Sequence, residues 1–65
     1  MKSIILAELS HPDTVNVGIT AVVAQIEAGF SVTVRDDQAG QFVGSAIIYP
    51  SLERALAYAR TIQGA

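Results

Sequence analysis

Residues 15–27, VNVGITAVVAQIE, decide the fold, because two periodicities fit them. In steps of two, Val15, Val17, Ile19, Ala21 and Val23 alternate as on a strand. In steps of three and four, Val15, Ile19, Val22, Val23 and Ile26 share one side of a helix, and Gly29 stands where a helix C-cap glycine would. Composition favours the strand. Seven of the twelve residues from Val15 to Ile26 are β-branched, which costs side-chain freedom in a helix and suits the pleated surface of a sheet. Gly18, inside the segment, disfavours a helix further, by about 1 kcal/mol relative to alanine. The alternation slips at Val22 and Val23, which predicts a β-bulge there. The strand reading gives an α+β domain of order ββββα, an antiparallel sheet of three to four strands with one C-terminal helix on one face. The helical reading, with residues 13–28 as a helix, gives βαββα.

On the N-terminal side, SIILAEL (residues 3–9) reads as a strand that ends before the turn-forming Ser10, His11, Pro12 and Asp13. On the C-terminal side, Glu27, Ala28 and Gly29 suit a tight hairpin with Gly29 in the left-handed region. The next stretch, FSVTVRD (30–36), places Phe30, Val32 and Val34 opposite Ser31, Thr33 and Arg35. A second turn, Asp36 to Gly40, leads into the returning strand QFVGSAIIY (41–49). Pro50 stops that strand, Ser51 is placed as an N-cap, and Gly64 closes a helix from Leu52 to Gln63. The stripe Leu52, Ala55, Leu56, Ala59 and Ile62 is its sheet-facing side.

A chain of 65 residues holds one domain, residues 1–65, near the lower size limit for a core that folds unaided. Half of it is apolar, well outside the composition of disordered segments. With no cysteine and one histidine, His11, it has neither disulfides nor a Cys/His zinc site. A net charge of −2 is the wrong sign for gripping phosphate backbones, so direct nucleic-acid binding is not expected. The apolar run after Lys2 stops at Glu8, too short for a signal peptide, and acidic and amide side chains interrupt every longer stretch. A cytoplasmic protein with no membrane partner is the expectation.

The search for chemistry is negative. Glu8, Asp13, Glu27, Asp36, Asp37 and Glu53 form no carboxylate pair or His–carboxylate spacing on one element, so no catalytic residue, metal ligand or cofactor-binding residue is assigned. Surface contacts remain. Tyr49 and Tyr58 are of the type enriched at interface hot spots, with Arg35 among the arginines that could flank them. Asp36 and Asp37, with Glu27 on the neighbouring strand, could present an acidic surface to a basic protein. These six, Glu27, Arg35, Asp36, Asp37, Tyr49 and Tyr58, are the candidate partner-binding residues. A sheet covered by one helix leaves a face open, to which Val17, Ala21, Val23, Val43 and Ile47 can contribute, depending on register. Such a face demands cover by a homodimer or a larger protein.

From Ile19 onward, ITAVVAQIEAGFSVTVRD followed by IIYPSLERALAYARTI resembles the small domain of HicB-type antitoxins. The shared features are a glycine and aromatic at a hairpin (Gly29, Phe30), a strand ending in aspartate (Asp36), and a helix carrying Ser51, Leu52, Glu53, Ala55, Leu56 and Ala59. The residues that usually follow the family's aspartate are missing, as is its DNA-binding segment. The resemblance implies a βββα core that occupies and blocks a nucleic-acid-processing protein. The expected function is a non-catalytic, protein-binding inhibitor, antitoxin-like or a phage-encoded anti-defence protein of the anti-CRISPR kind. The alternative is a small nucleic-acid-binding or regulatory module of a mobile element.

Overall fold

The computed structural model describes residues 3–64. Four strands, β1 (Ile4–Ser10), β2 (Ile19–Ile26), β3 (Gly29–Asp36) and β4 (Gln41–Tyr49), precede one helix, α1 (Leu52–Gln63). Each strand pairs antiparallel with its neighbour in sequence, giving the sheet order β1-β2-β3-β4. The helix lies on one face, mainly over β2 and β3. The fold is thus the α+β arrangement of the strand reading, and residues 13–28 are not a helix.

The deciding segment is split in two. Asp13 to Gly18 forms a single helical turn: the Asp13 carbonyl accepts from the backbone N–H groups of Val17 and Gly18 at 3.2 and 3.0 Å, and Asp13 Oδ1 accepts from Asn16 N–H at 2.9 Å. Gly18, at φ 56°, ends the turn in the left-handed region that glycine enters without a Cβ penalty, and β2 starts at Ile19. The strand is therefore shorter at its N-terminal end than the expected Val15 start. The helical signal was real for one turn, and the glycine that disfavours a longer helix is where that turn stops.

β2 pairs with β3 at every position from Ile19↔Asp36 to Ile26↔Gly29, so the bulge expected at Val22 and Val23 is absent from this strand pair. Consecutive valines occur there because β2 is interior and buried on both faces, Val22 at 3 % and Val23 at 0 % exposure. The irregularities lie on the outer strands. β1 accommodates Leu6 as an extra residue between Ile5↔Ala24 and Ala7↔Val23. In β4, Gly44, Ser45 and Ala46 lie between the pairs Val34↔Val43 and Val32↔Ile47, opposite the single residue Thr33.

Glu27 and Ala28 make the turn between β2 and β3. Gly29 takes a positive φ of 140° as the first residue of β3, and a Cβ there would stand 2.6 Å from the Tyr49 carbonyl oxygen. Both the backbone angle and the close approach of β4 require glycine.

The core is made of small side chains: Ala21, Val23, Val32, Ala55 and Ala59. Among the described residues, nothing larger than valine is fully buried. Ala55 and Ala59 let the helix settle close on the sheet, with Leu56 and Ile62 partly buried at its sides, whereas Leu52 stays 37 % exposed. The Ser51 hydroxyl accepts from the Arg54 N–H, and Gly64, at φ 83°, returns its N–H to the carbonyls of Arg60 and Thr61, so both helix ends are capped. The His11 ring lies against this C-cap: a Cβ at Gly64 would meet Nε2 at 2.9 Å. Its other nitrogen, Nδ1, accepts from the Asp13 N–H at 3.0 Å.

Candidate protein-interaction surface

Register assigns each side chain to a face, and it corrects the sequence-based list for the open one. Ala21 and Val23 lie beneath the helix. Val43 and Ile47, paired with Val34 and Val32, are on the helix side too, but stay exposed and outside the core under α1, and Val17 belongs to the turn before β2. The open face instead carries Thr20, Val22 and Ala24 of β2 beside Ser31, Thr33 and Arg35 of β3. Val22 sits in register between Glu8 and Thr33, and Ala24 between Ile5 and Ser31. Small side chains on an interior strand are covered by their flanking neighbours without a second layer.

At the end of this face near the β3–β4 turn, the polar groups form a connected network. The Thr20 hydroxyl donates to Asp37 Oδ2 at 2.7 Å. Because a hydroxyl carries one proton, the 2.9 Å contact between Ser10 Oγ and Thr20 Oγ1 is Ser10 donating to Thr20. Arg35 donates through Nε to Asp37 Oδ1 at 3.1 Å and meets Glu8 Oε1 through Nη1 at 3.0 Å. The Thr20 hydroxyl is the largest influence and holds the Asp37 carboxyl below its usual range; desolvation, next in size, opposes it, and the Arg35 guanidinium adds to the lowering. Hydrogen bonds to Asp37 and then Glu8 raise Arg35 in turn. Asp36 accepts from the N–H groups of Gln38 and Ala39, at 3.0 and 3.2 Å, and so caps the turn.

The six candidate residues thus separate into two groups. Arg35, Asp36 and Asp37 stand at one end of the β2–β3 hairpin, while Glu27 is in the turn at the other, roughly 25 Å away at the rise of a strand. The acidic patch expected from Glu27 with Asp36 and Asp37 is therefore not assembled. At the end of the hairpin near Glu27, Tyr49 and Tyr58 lie with ring centroids 5.9 Å apart and both pack beside the core. Tyr58, outside the expected stripe, covers the helix–sheet margin.

Apart from Val15 and Val17 in the turn before β2 and Leu52 at the start of α1, the large exposed apolar side chains are on the two edge strands. Ile4, Ile5 and Leu6 of β1 are 59, 60 and 42 % exposed, and Phe42, Val43, Ile47 and Ile48 of β4 are 58, 56, 41 and 53 % exposed. None of these was among the six candidates. The signal was present: residues 41–49 contain no charge, which is unusual for a strand left at a sheet edge. An open depression of about 240 Å³ between Ser10, Pro12, Gln63 and Gly64 lies away from both edges' apolar side chains and gathers no group of titratable side chains. No helix among the described residues is long and apolar enough to cross a membrane. Comparison with protein-family models, with curated proteins and with solved structures finds no significant match.

Proposed function

We propose that this chain is a non-catalytic protein-binding inhibitor that occupies and blocks a nucleic-acid-processing protein, in the manner of an antitoxin or a phage anti-defence protein. One observation carries the protein-binding part: many of the large apolar side chains are outside, while the fully buried ones are small. Seven isoleucine, leucine, valine and phenylalanine side chains of β1 and β4 are exposed, in a domain whose core consists of alanine and valine. Exposed apolar strands at sheet edges bind other polypeptides, because they offer unpaired backbone groups together with side chains that lose water on contact.

The nature of the partner rests on two weaker supports, the resemblance to HicB-type antitoxins and charge. Asp13, Asp36 and Asp37 lie at the end of the sheet where the 13–18 turn meets the β3–β4 turn, held together by Gln38 Nε2 donating to the Val15 carbonyl and by the Asp37 N–H donating to the Gly18 carbonyl. Against these carboxylates stands Arg35, already engaged by Asp37 and Glu8. That end suits a basic surface. The same engagement of Arg35 speaks against the alternative of a nucleic-acid-binding module, which needs free cations on its sheet.

Native copurification from cells producing the chain at low level tests the reading. The expected result is a stoichiometric protein that binds or cleaves nucleic acid and loses that activity when equimolar purified chain is added back. A variant carrying Ile5→Lys and Ile48→Lys should recover less of it. No stoichiometric partner, or a partner whose activity is unchanged by the chain, sinks the proposal.

A further inference from the structure

We infer that β4 is a self-association seam: two copies of this chain pair antiparallel through residues 41–49, in the register centred on Ser45. Three observations lead there.

First, β4 is built as an interior strand yet stands at the edge. Phe42 and Ile48 pair with Arg35 and Ser31 on the open face, Val43 and Ile47 pair with Val34 and Val32 on the helix side, and all four are more than two-fifths exposed. A strand with apolar side chains on both faces reads as one meant to have neighbours on both sides. It also lacks the charges that keep a free edge from pairing.

Second, the sequence is complementary to itself. With Ser45 on a two-fold axis, Phe42 of one copy faces Ile48 of the other, Val43 faces Ile47, Gly44 faces Ala46, and Ser45 faces Ser45. Each pair joins residues of the same sheet face, which the register within one chain fixes independently. Large side chains meet large ones on both faces, and small meets small at the axis. The absence of charge matters here as well, since an isologous contact sets like residues near their own copies.

Third, the irregularity in β4 falls at that axis. Gly44, Ser45 and Ala46 are the extra residues opposite Thr33, and all three are small. In the dimer the two irregular segments face each other, and the ladder forms on either side of them, 41–43 against 47–49. Phe42, Val43, Ile47 and Ile48, each only about half exposed, supply less apolar surface than the roughly 800 Å² each partner contributes to a standard interface. Nine residues of backbone add to this. The dimer is accordingly one that forms and dissociates with concentration, and it leaves β1 as the free edge at both ends of an eight-stranded sheet.

The inference does not rest on the inhibitor reading, since a chain with no protein target would still pair with itself. Sedimentation of the purified chain over a dilution series should show twice the 6.8 kDa chain mass at high concentration and the single mass on dilution. Ile47→Lys should hold the monomer mass throughout with an unchanged far-UV spectrum. The register is read separately in the cysteine-free background: under mild oxidation Ser45→Cys should crosslink to a covalent dimer at least tenfold faster than Ala57→Cys, on the exposed side of α1. A chain that stays monomeric at every concentration, or a dimer in which the two cysteines crosslink at equal rates, overturns the inference even if Ile47→Lys does not fold.

Discussion

The central hairpin and the outer strands of this sheet were given opposite compositions. β2 and β3 meet residue for residue, bury small side chains on both faces, and tie their one basic side chain, Arg35, to two carboxylates. β1 and β4 carry the larger apolar side chains, expose them, and each depart from regular pairing once. In a domain this small a single helix covers about two strands, so the interior of the sheet was made of residues small enough to need no second layer, and the bulk was placed where another polypeptide can reach it. Stability belongs to the hairpin and association to the edges.

The largest break in that division is expected at Gly29. Gly29→Ala places a Cβ against the Tyr49 carbonyl in a backbone conformation that alanine strains to adopt. A loss of about 3 kcal/mol or more should follow, most of the stability a domain of this size has, and urea denaturation will read it. Gly40→Ala is the control. Gly40 also has a positive φ, 69°, but nothing lies within 4 Å of where its Cβ would be, so strain acts there without a clash and the cost should be about 1 kcal/mol.

A middle-sized effect compares two valines on the same face of the sheet. Val23→Ala opens a cavity in the core and should cost about 2 kcal/mol, whereas Val43→Ala, at dilutions where the chain is monomeric, should change stability by less than about 0.5 kcal/mol. Equal losses would mean that the outer strand holds the monomer together after all.

The smallest effect concerns the polar network and depends on pH. Asp37 has a native pKa below its ordinary value, so its contribution to stability is present above that ordinary value and disappears as pH falls through the lowered native one. Asp37→Asn should therefore melt at a lower temperature than the wild type at neutral pH, and the gap should close at an acid pH below the lowered native value, where the unmutated carboxyl also becomes neutral. Thermal melts of both proteins at the two pH values check this. A gap that persists in acid would assign the effect to the shape of the turn and not to the charge.

Most of this architecture was legible in the chain. β-branching outweighed helical periodicity in residues 15–27, and the order of strands, the span of β4 and both helix caps followed from local residue types. What was misread depended on position in the sheet. Adjacent valines look like a bulge only if one face of the strand is wet, and a strand's place between two others is not a local property. The candidate surface was less legible for the same reason. Arg35 and Asp37 were singled out, but Glu8 and Thr20, which engage them, come from other strands. The tyrosines drew notice as side chains suited to interfaces and proved to pack on each other. The uncharged run 41–49 drew notice only through Val43 and Ile47, as part of an open face, because an apolar strand becomes fully informative only once it is known to be at an edge.

The order β1-β2-β3-β4 also bears on how the chain reaches this state. Every strand's partner is the segment next to it, joined through two short turns and one loop of residues 11–18. No pairing in the sheet requires distant parts of the chain to be held together before contact is gained, and the entropy of loop closure is met in small successive steps. The return of the helix over strands already in place is the one closure of longer range.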